Sequence, residues 1–179
     1  MKKRMILTFI GVLFIIFCVG VASTFFAHSE TFTNSTNLSD ESIGKVKLHE
    51  NISQQSFVEQ YGKPLRKDDN DIYDYFHWKD GLLTASINKG KEKGSIMRLI
   101  IERTEDKPFE NPLHTSKGIK LGDSKAKVIA KYGDNYYTSG EQGADIIGYI
   151  DHKQGITLEF WCNGDEKVLE IRLDDAEVI

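Results

Sequence analysis

The sequence predicts an α+β chain: an N-terminal transmembrane helix, then two tandem repeats, each a helix plus a three-stranded antiparallel meander. Three observations carry this. Residues 5–27 contain no charged side chain. Ten of the twenty-nine residues from Asp71 to Leu99 recur without a gap 74 positions later, among them Asp71, Tyr75, Gly81, Arg98 and Leu99 against Asp145, Tyr149, Gly155, Arg172 and Leu173. Unrelated segments of this composition would share roughly two. Both copies also show a short amphipathic stretch closed by glycine ahead of alternating apolar runs. The expected divisions are an anchor or signal segment at 1–28, a flexible linker at 29–43, a first repeat at 44–106 and a second at 107–179.

The apolar run is long enough to span a bilayer core, and it follows Lys2, Lys3 and Arg4 while Glu30, Asp40 and Glu41 come after it. The positive-inside bias then puts the N-terminus in the cytoplasm and the rest outside the cell membrane. Ala27-His28-Ser29 and Val21-Ala22-Ser23 offer small-residue patterns for a signal peptidase, so an uncleaved single-pass anchor and a secreted, cleaved form are both readings of this segment. Cys18 follows the bulky Phe17, which does not suit a lipidation site.

Residues 29–43 are rich in Ser, Thr and Asn, and this composition reads as a tether. The formal charge is −4, and setting aside Lys2, Lys3 and Arg4 leaves −7 for the remainder. That balance argues against nucleic acid or an anionic lipid surface as the main partner, since both reward clustered Lys and Arg. Cys162 is the only cysteine past the anchor, so no disulfide can staple the domain. At the end of an apolar strand it reads as a small core residue.

Each repeat begins with a helix. In the first, Ser53 or its neighbours start a helix carrying Phe57, Val58 and Tyr61, stopped by Gly62 and Pro64. In the second, Asp123 caps a helix carrying Ala126, Val128, Ile129 and Tyr132, closed by Gly133. Strands are expected near 72–78, 82–88 and 95–102, and near 145–151, 155–162 and 167–173. Lys79-Asp80-Gly81 and Lys153-Gln154-Gly155 form tight hairpin connections, with glycine at the strained position. In the third strand Met97, Leu99 and Ile101 share a face. In the second, Leu83, Ala85 and Ile87 look inward in copy one, whereas Ile156, Leu158, Phe160 and Cys162 take the opposite parity in copy two.

The run Gly118-Ile119-Lys120-Leu121-Gly122-Asp123-Ser124, leading into Val128-Ile129-Ala130-Lys131-Tyr132-Gly133, resembles the opening of small extracytoplasmic repeat domains of the β-lactamase-inhibitor-protein and SmpA/OmlA type. The resemblance covers about residues 44–179. It implies a short helical element on an antiparallel sheet, with two copies forming a concave surface that grips a partner protein. The chain lacks the disulfide pairs of the inhibitor members and the lipidation cysteine of the lipoprotein members, so no target and no residue role carries over.

Local catalytic signatures are missing. His28, His49, His77, His114 and His152 form no zinc-type pair. Asp68, Asp69, Asp71 and Asp74 lack the glycine turn and distal glutamate of an EF-hand loop. No Gly-x-Ser-x-Gly elbow and no phosphate loop occurs. The expectation is no metal, no cofactor and no catalytic set. Arg98 and Arg172, with Lys79 and Lys153, read as outward strand and turn residues or as equivalent ligand contacts.

Aromatic residues supply the candidate binding set: Phe76, His77 and Trp78 at one strand end, Tyr136 and Tyr137 after the second helix, and Trp161 in a strand of copy two. Such side chains bury much area for little lost rotamer freedom. The sequence therefore points to a membrane-tethered extracytoplasmic binding module for a protein or cell-envelope ligand. An envelope enzyme with a dispersed site and a structural spacer are the alternatives.

Overall fold

The computed structural model describes residues 29–103, 111–176 and 178. The chain divides into two units, residues 1–33 and 34–179. In the first, the described residues form one helical turn, α1 (Ser29–Phe32). The predicted span at 5–27 lies outside the described residues. Among those described, no helix is long and apolar enough to cross a membrane; the longest has 8 residues, about 12 Å against the ~30 Å of a bilayer core. For the described residues the transmembrane, single-pass assignment is corrected on that finding: none of their helices forms a span.

The second unit contains α2 (Gln55–Tyr61), β1 (Arg66–Asp69), β2 (Tyr73–His77), a 3-10 turn at Lys79–Gly81, β3 (Leu82–Ile87) and β4 (Ile96–Glu102). It continues with α3 (Lys125–Tyr132), β5 (Tyr137–Glu141), β6 (Ala144–Asp151), β7 (Ile156–Cys162) and β8 (Val168–Asp175). All eight strands belong to one antiparallel sheet in the order β1-β2-β3-β4-β8-β7-β6-β5. This overturns the expected α+β pair of repeats with three-stranded meanders. Each meander has a fourth strand, and β4 pairs with β8 to fuse them into a single sheet accompanied by short helices. The fusion has a plain cause. Leu99 lies opposite Leu173 and Ile101 opposite Ile171, so each apolar third strand covers the other's open edge.

Both longer helices lie on one face of the sheet. On α2, Phe57 and Tyr61 point inward, and the Phe57 ring meets Trp78 edge-on at 4.9 Å. Gly62 ends the helix at φ 73°, a backbone angle glycine adopts without a Cβ clash. On α3, the Tyr132 ring packs 5.2 Å from Tyr149 and 5.3 Å from Phe160. Ser124, rather than the expected Asp123, caps this helix: its Oγ accepts from the Lys127 amide at 3.2 Å. Asp123 instead accepts from the Lys120 amide and the Lys127 ammonium.

The segment expected as a tether is packed from Asn34 onward. Leu38 is 2% exposed and Ile43 fully buried, and the Leu38 amide donates to Asp151 Oδ2 at 2.9 Å. Glu41, 5% exposed, accepts the Tyr132 hydroxyl proton at 2.9 Å and the Ser116 amide at 2.8 Å. A polar residue count cannot reveal a carboxylate whose partners lie 75 and 91 residues away.

Strand parity also differs from the expectation. Leu82, Thr84 and Ser86 face the helices, and Thr84 and Ser86 are fully buried, while Leu83 and Ala85 look the other way. In β3 and β7 the two copies therefore share one parity: Leu82 opposite Ile101 through Ala85 opposite Arg98 repeats, 74 residues on, as Ile156 opposite Asp175 through Glu159 opposite Arg172. A bulge between Ala85 and Ser86 turns Met97 into a small cluster with Tyr73, Ala85 and Val178, apart from Leu99 and Ile101.

Candidate functional site: the helix-free face of the sheet

No helical residue joins the cluster on the second face of the sheet. One cross-strand row runs over this face through every strand: Arg66, His77, Leu83, Ile100, Arg172, Glu159, Gly148 and Tyr137 are successive register partners. The middle of the row, Leu83 to Glu159, is half-buried and still open to solvent. Alternation places these side chains opposite the core. In β7, Thr157, Glu159 and Trp161 separate Leu158 and Phe160; in β8, Glu170, Arg172 and Asp174 flank Ile171 and Leu173.

The row is tied into a polar network. Glu159 accepts the Tyr137 hydroxyl proton at 2.8 Å through one oxygen and the Trp161 indole N–H at 2.9 Å through the other. Tyr137 reaches it by lying over Gly148, where any Cβ would meet ring atoms at 2.0–2.4 Å. The Arg172 guanidinium sits 3.8 Å above the Trp161 ring and pairs with Glu170 through Nε. One step along β4, Arg98 grips Asp174 with two bonds, at 2.7 and 2.9 Å. Burial raises the Asp174 pKa and the Arg98 bond only partly offsets it. At the β1 end, Arg66 donates to His77 Nε2 and to Asp68, each at 2.8 Å. A cavity of about 280 Å³ opens beside Trp161, lined also by Glu102, Arg103, Glu170 and Arg172.

The six aromatic candidates separate. Tyr137 and Trp161 meet through Glu159, and His77 lies in the same row six register steps from Tyr137. Trp78 is 4% exposed on the helix face, its indole N–H donating to Thr84 Oγ1 at 3.0 Å. Phe76 is half-buried on that face beside Trp78, with the Lys67 ammonium 5.6 Å from its ring. Tyr136 packs on Tyr149. Tyr137 and Trp161 are themselves only 3% and 5% exposed, so alanine at Trp78, Tyr137 or Trp161 would hollow out packing rather than trim a surface. Arg98 and Arg172 share the open face but have different partners. Glu159, Glu170 and Asp174 escaped sequence reasoning; their signal is the polar alternation of β7 and β8, legible only once parity is known.

Among the described residues, no group of three or more His, Cys, Asp or Glu could hold a metal ion. Cys162 is buried, and burial pushes its thiol pKa up to about 11.

No family model matches the chain, and no curated protein matches it. Among solved structures, a DUF4309 family protein (YjgB) from Bacillus subtilis aligns at TM-score 0.41 and 17% identity, covering 67% of this chain and 76% of that one. An extracellular protein containing an SCP domain from Bacillus anthracis aligns at TM-score 0.40 and 9% identity, over 71% of this chain and 44% of that one. At these scores neither likeness bears on function.

Proposed function

We propose that this chain is a non-enzymatic binding module that presents the helix-free face of its sheet to a protein ligand. The observation that carries the reading is the cross-strand row spanning all eight strands on the face without a helix, with Leu83 and Ile100, only partly buried, at its middle. Arg172, held over the buried Trp161 ring, adds a rigid contact of a residue type enriched among those that dominate binding energy. Because Glu159, Tyr137 and Glu170 already hold that contact in place, docking costs it little rotamer freedom.

The test is site-directed photo-crosslinking of the full chain in its native cells. A photoreactive phenylalanine analogue at Ile100 is expected to yield a discrete adduct with another protein. The same analogue at Val58, exposed on α2, is expected to yield none. Adducts of equal yield from both positions, or none from Ile100, would remove this face from consideration.

A further inference from the structure

Charge on the open face is out of balance. By register it carries Asp68, Glu102, Glu141, Glu159, Glu170 and Asp174. Its three arginines are already engaged: Arg66 with Asp68, Arg98 with Asp174 and Arg172 with Glu170. Glu102 and Glu141 form no ion pair among the described residues, while Glu159 stands opposite Arg172 in register and is held by two neutral donors. Glu102 stands directly opposite Glu170 across β4 and β8, a like-charge placement that works against strand pairing. Burial raises the Glu170 pKa, Arg172 draws it back, and the Glu102 and Glu159 charges push it up again. The cavity at this point contains one further cation, Arg103, just past the end of β4.

We propose that the occupant of this face is a basic segment of a partner protein, with a lysine or arginine side chain seated in the cavity between Glu102 and Glu170. The proposal rests on the protein-binding reading above and names the chemistry of its ligand. A cationic side chain there relieves the Glu102–Glu170 opposition, and a further basic residue along the segment reaches exposed Glu141.

The two tryptophans report on opposite faces of the sheet, Trp161 at the cavity and Trp78 among Phe57, Tyr61 and Phe76. The full chain, labelled with ¹⁵N, is titrated with a short alternating arginine–serine peptide and with glutamate–serine and glutamine–serine peptides of equal length. Expected is a shift of the Trp161 indole resonance with the arginine peptide alone, no shift at Trp78, and weaker binding as salt is added. Glu102→Gln and Glu141→Gln, both at exposed sites, should each weaken that binding about two- to fivefold. A Trp161 shift with the acidic or neutral peptide and not the basic one would overturn the basic ligand while leaving the face as a binding surface. Silence at Trp161 with all three peptides overturns the proposal, and the Ile100 crosslink then judges the wider reading separately.

Discussion

Tyr75 and Tyr149 match across the 74-residue offset, yet they stand on opposite faces of the sheet. Tyr149 is fully buried beside Tyr132, its hydroxyl donating to the Gly133 carbonyl at 3.0 Å. Tyr75 packs beside Tyr73 on the helix-free face. The cause is one residue of register. His77 pairs with Leu83 across five intervening residues, whereas Asp151 pairs with Ile156 across four, and a one-residue slip sends a strand's side chains to the other face. Tyr149→Ala is therefore expected to cost about 3–5 kcal/mol and Tyr75→Ala about 1 kcal/mol. Urea unfolding of the two variants checks this, and equal losses would contradict the placement.

Tyr132 is the second stability prediction. Its hydroxyl lies 2.9 Å from Glu41 Oε2 and 2.8 Å from Thr115 Oγ1. Tyr132→Phe leaves a buried carboxylate oxygen short of a donor, which costs about 1–3 kcal/mol. Tyr136→Phe, whose ring is only half-buried, serves as the comparison; it should shift the urea midpoint far less.

Gly148 tests the geometry of the open face. Gly148→Ala drives a methyl group into the Tyr137 ring, so Tyr137 must lift away and release Glu159. The expected loss is about 1–3 kcal/mol. A crystal structure of the variant should show the Tyr137 to Glu159 bond broken, and an unmoved ring would refute the contact.

Cys162 predicts a pH dependence. Its thiol is held at about 11 against 9.0 in the unfolded chain, chiefly by burial. The folded state then retains a proton that the unfolded state has released between those values. The stability contribution is complete below pH 9 and falls as the pH rises toward 11. In a Cys18→Ser background, alkylation of Cys162 by iodoacetamide at pH 8 should be slow and should accelerate in urea to the rate of an unfolded thiol. Rapid alkylation of the folded protein would count against the buried placement.

Local signals in the sequence determined where the helices stop, at Gly62 and Gly133, and where six of the strands run, because a glycine end and an apolar alternation depend on the residues themselves. They also marked Arg98 and Arg172 as outward strand residues. Tertiary structure alone decided the rest. Arg66-Lys67-Asp68-Asp69 and Thr138-Ser139-Gly140 become strands β1 and β5 without apolar alternation, since β2 and β6 offer them backbone partners. Thr84 is buried because it receives the Trp78 indole proton, which reverses the face an apolar count assigns to β3. Trp78 and Trp161 look alike in sequence but serve opposite faces. The pairing of β4 with β8 places Glu102 against Glu170 and Arg98 against Asp174, and that contact joins residues about 70 positions apart, beyond the reach of any local pattern.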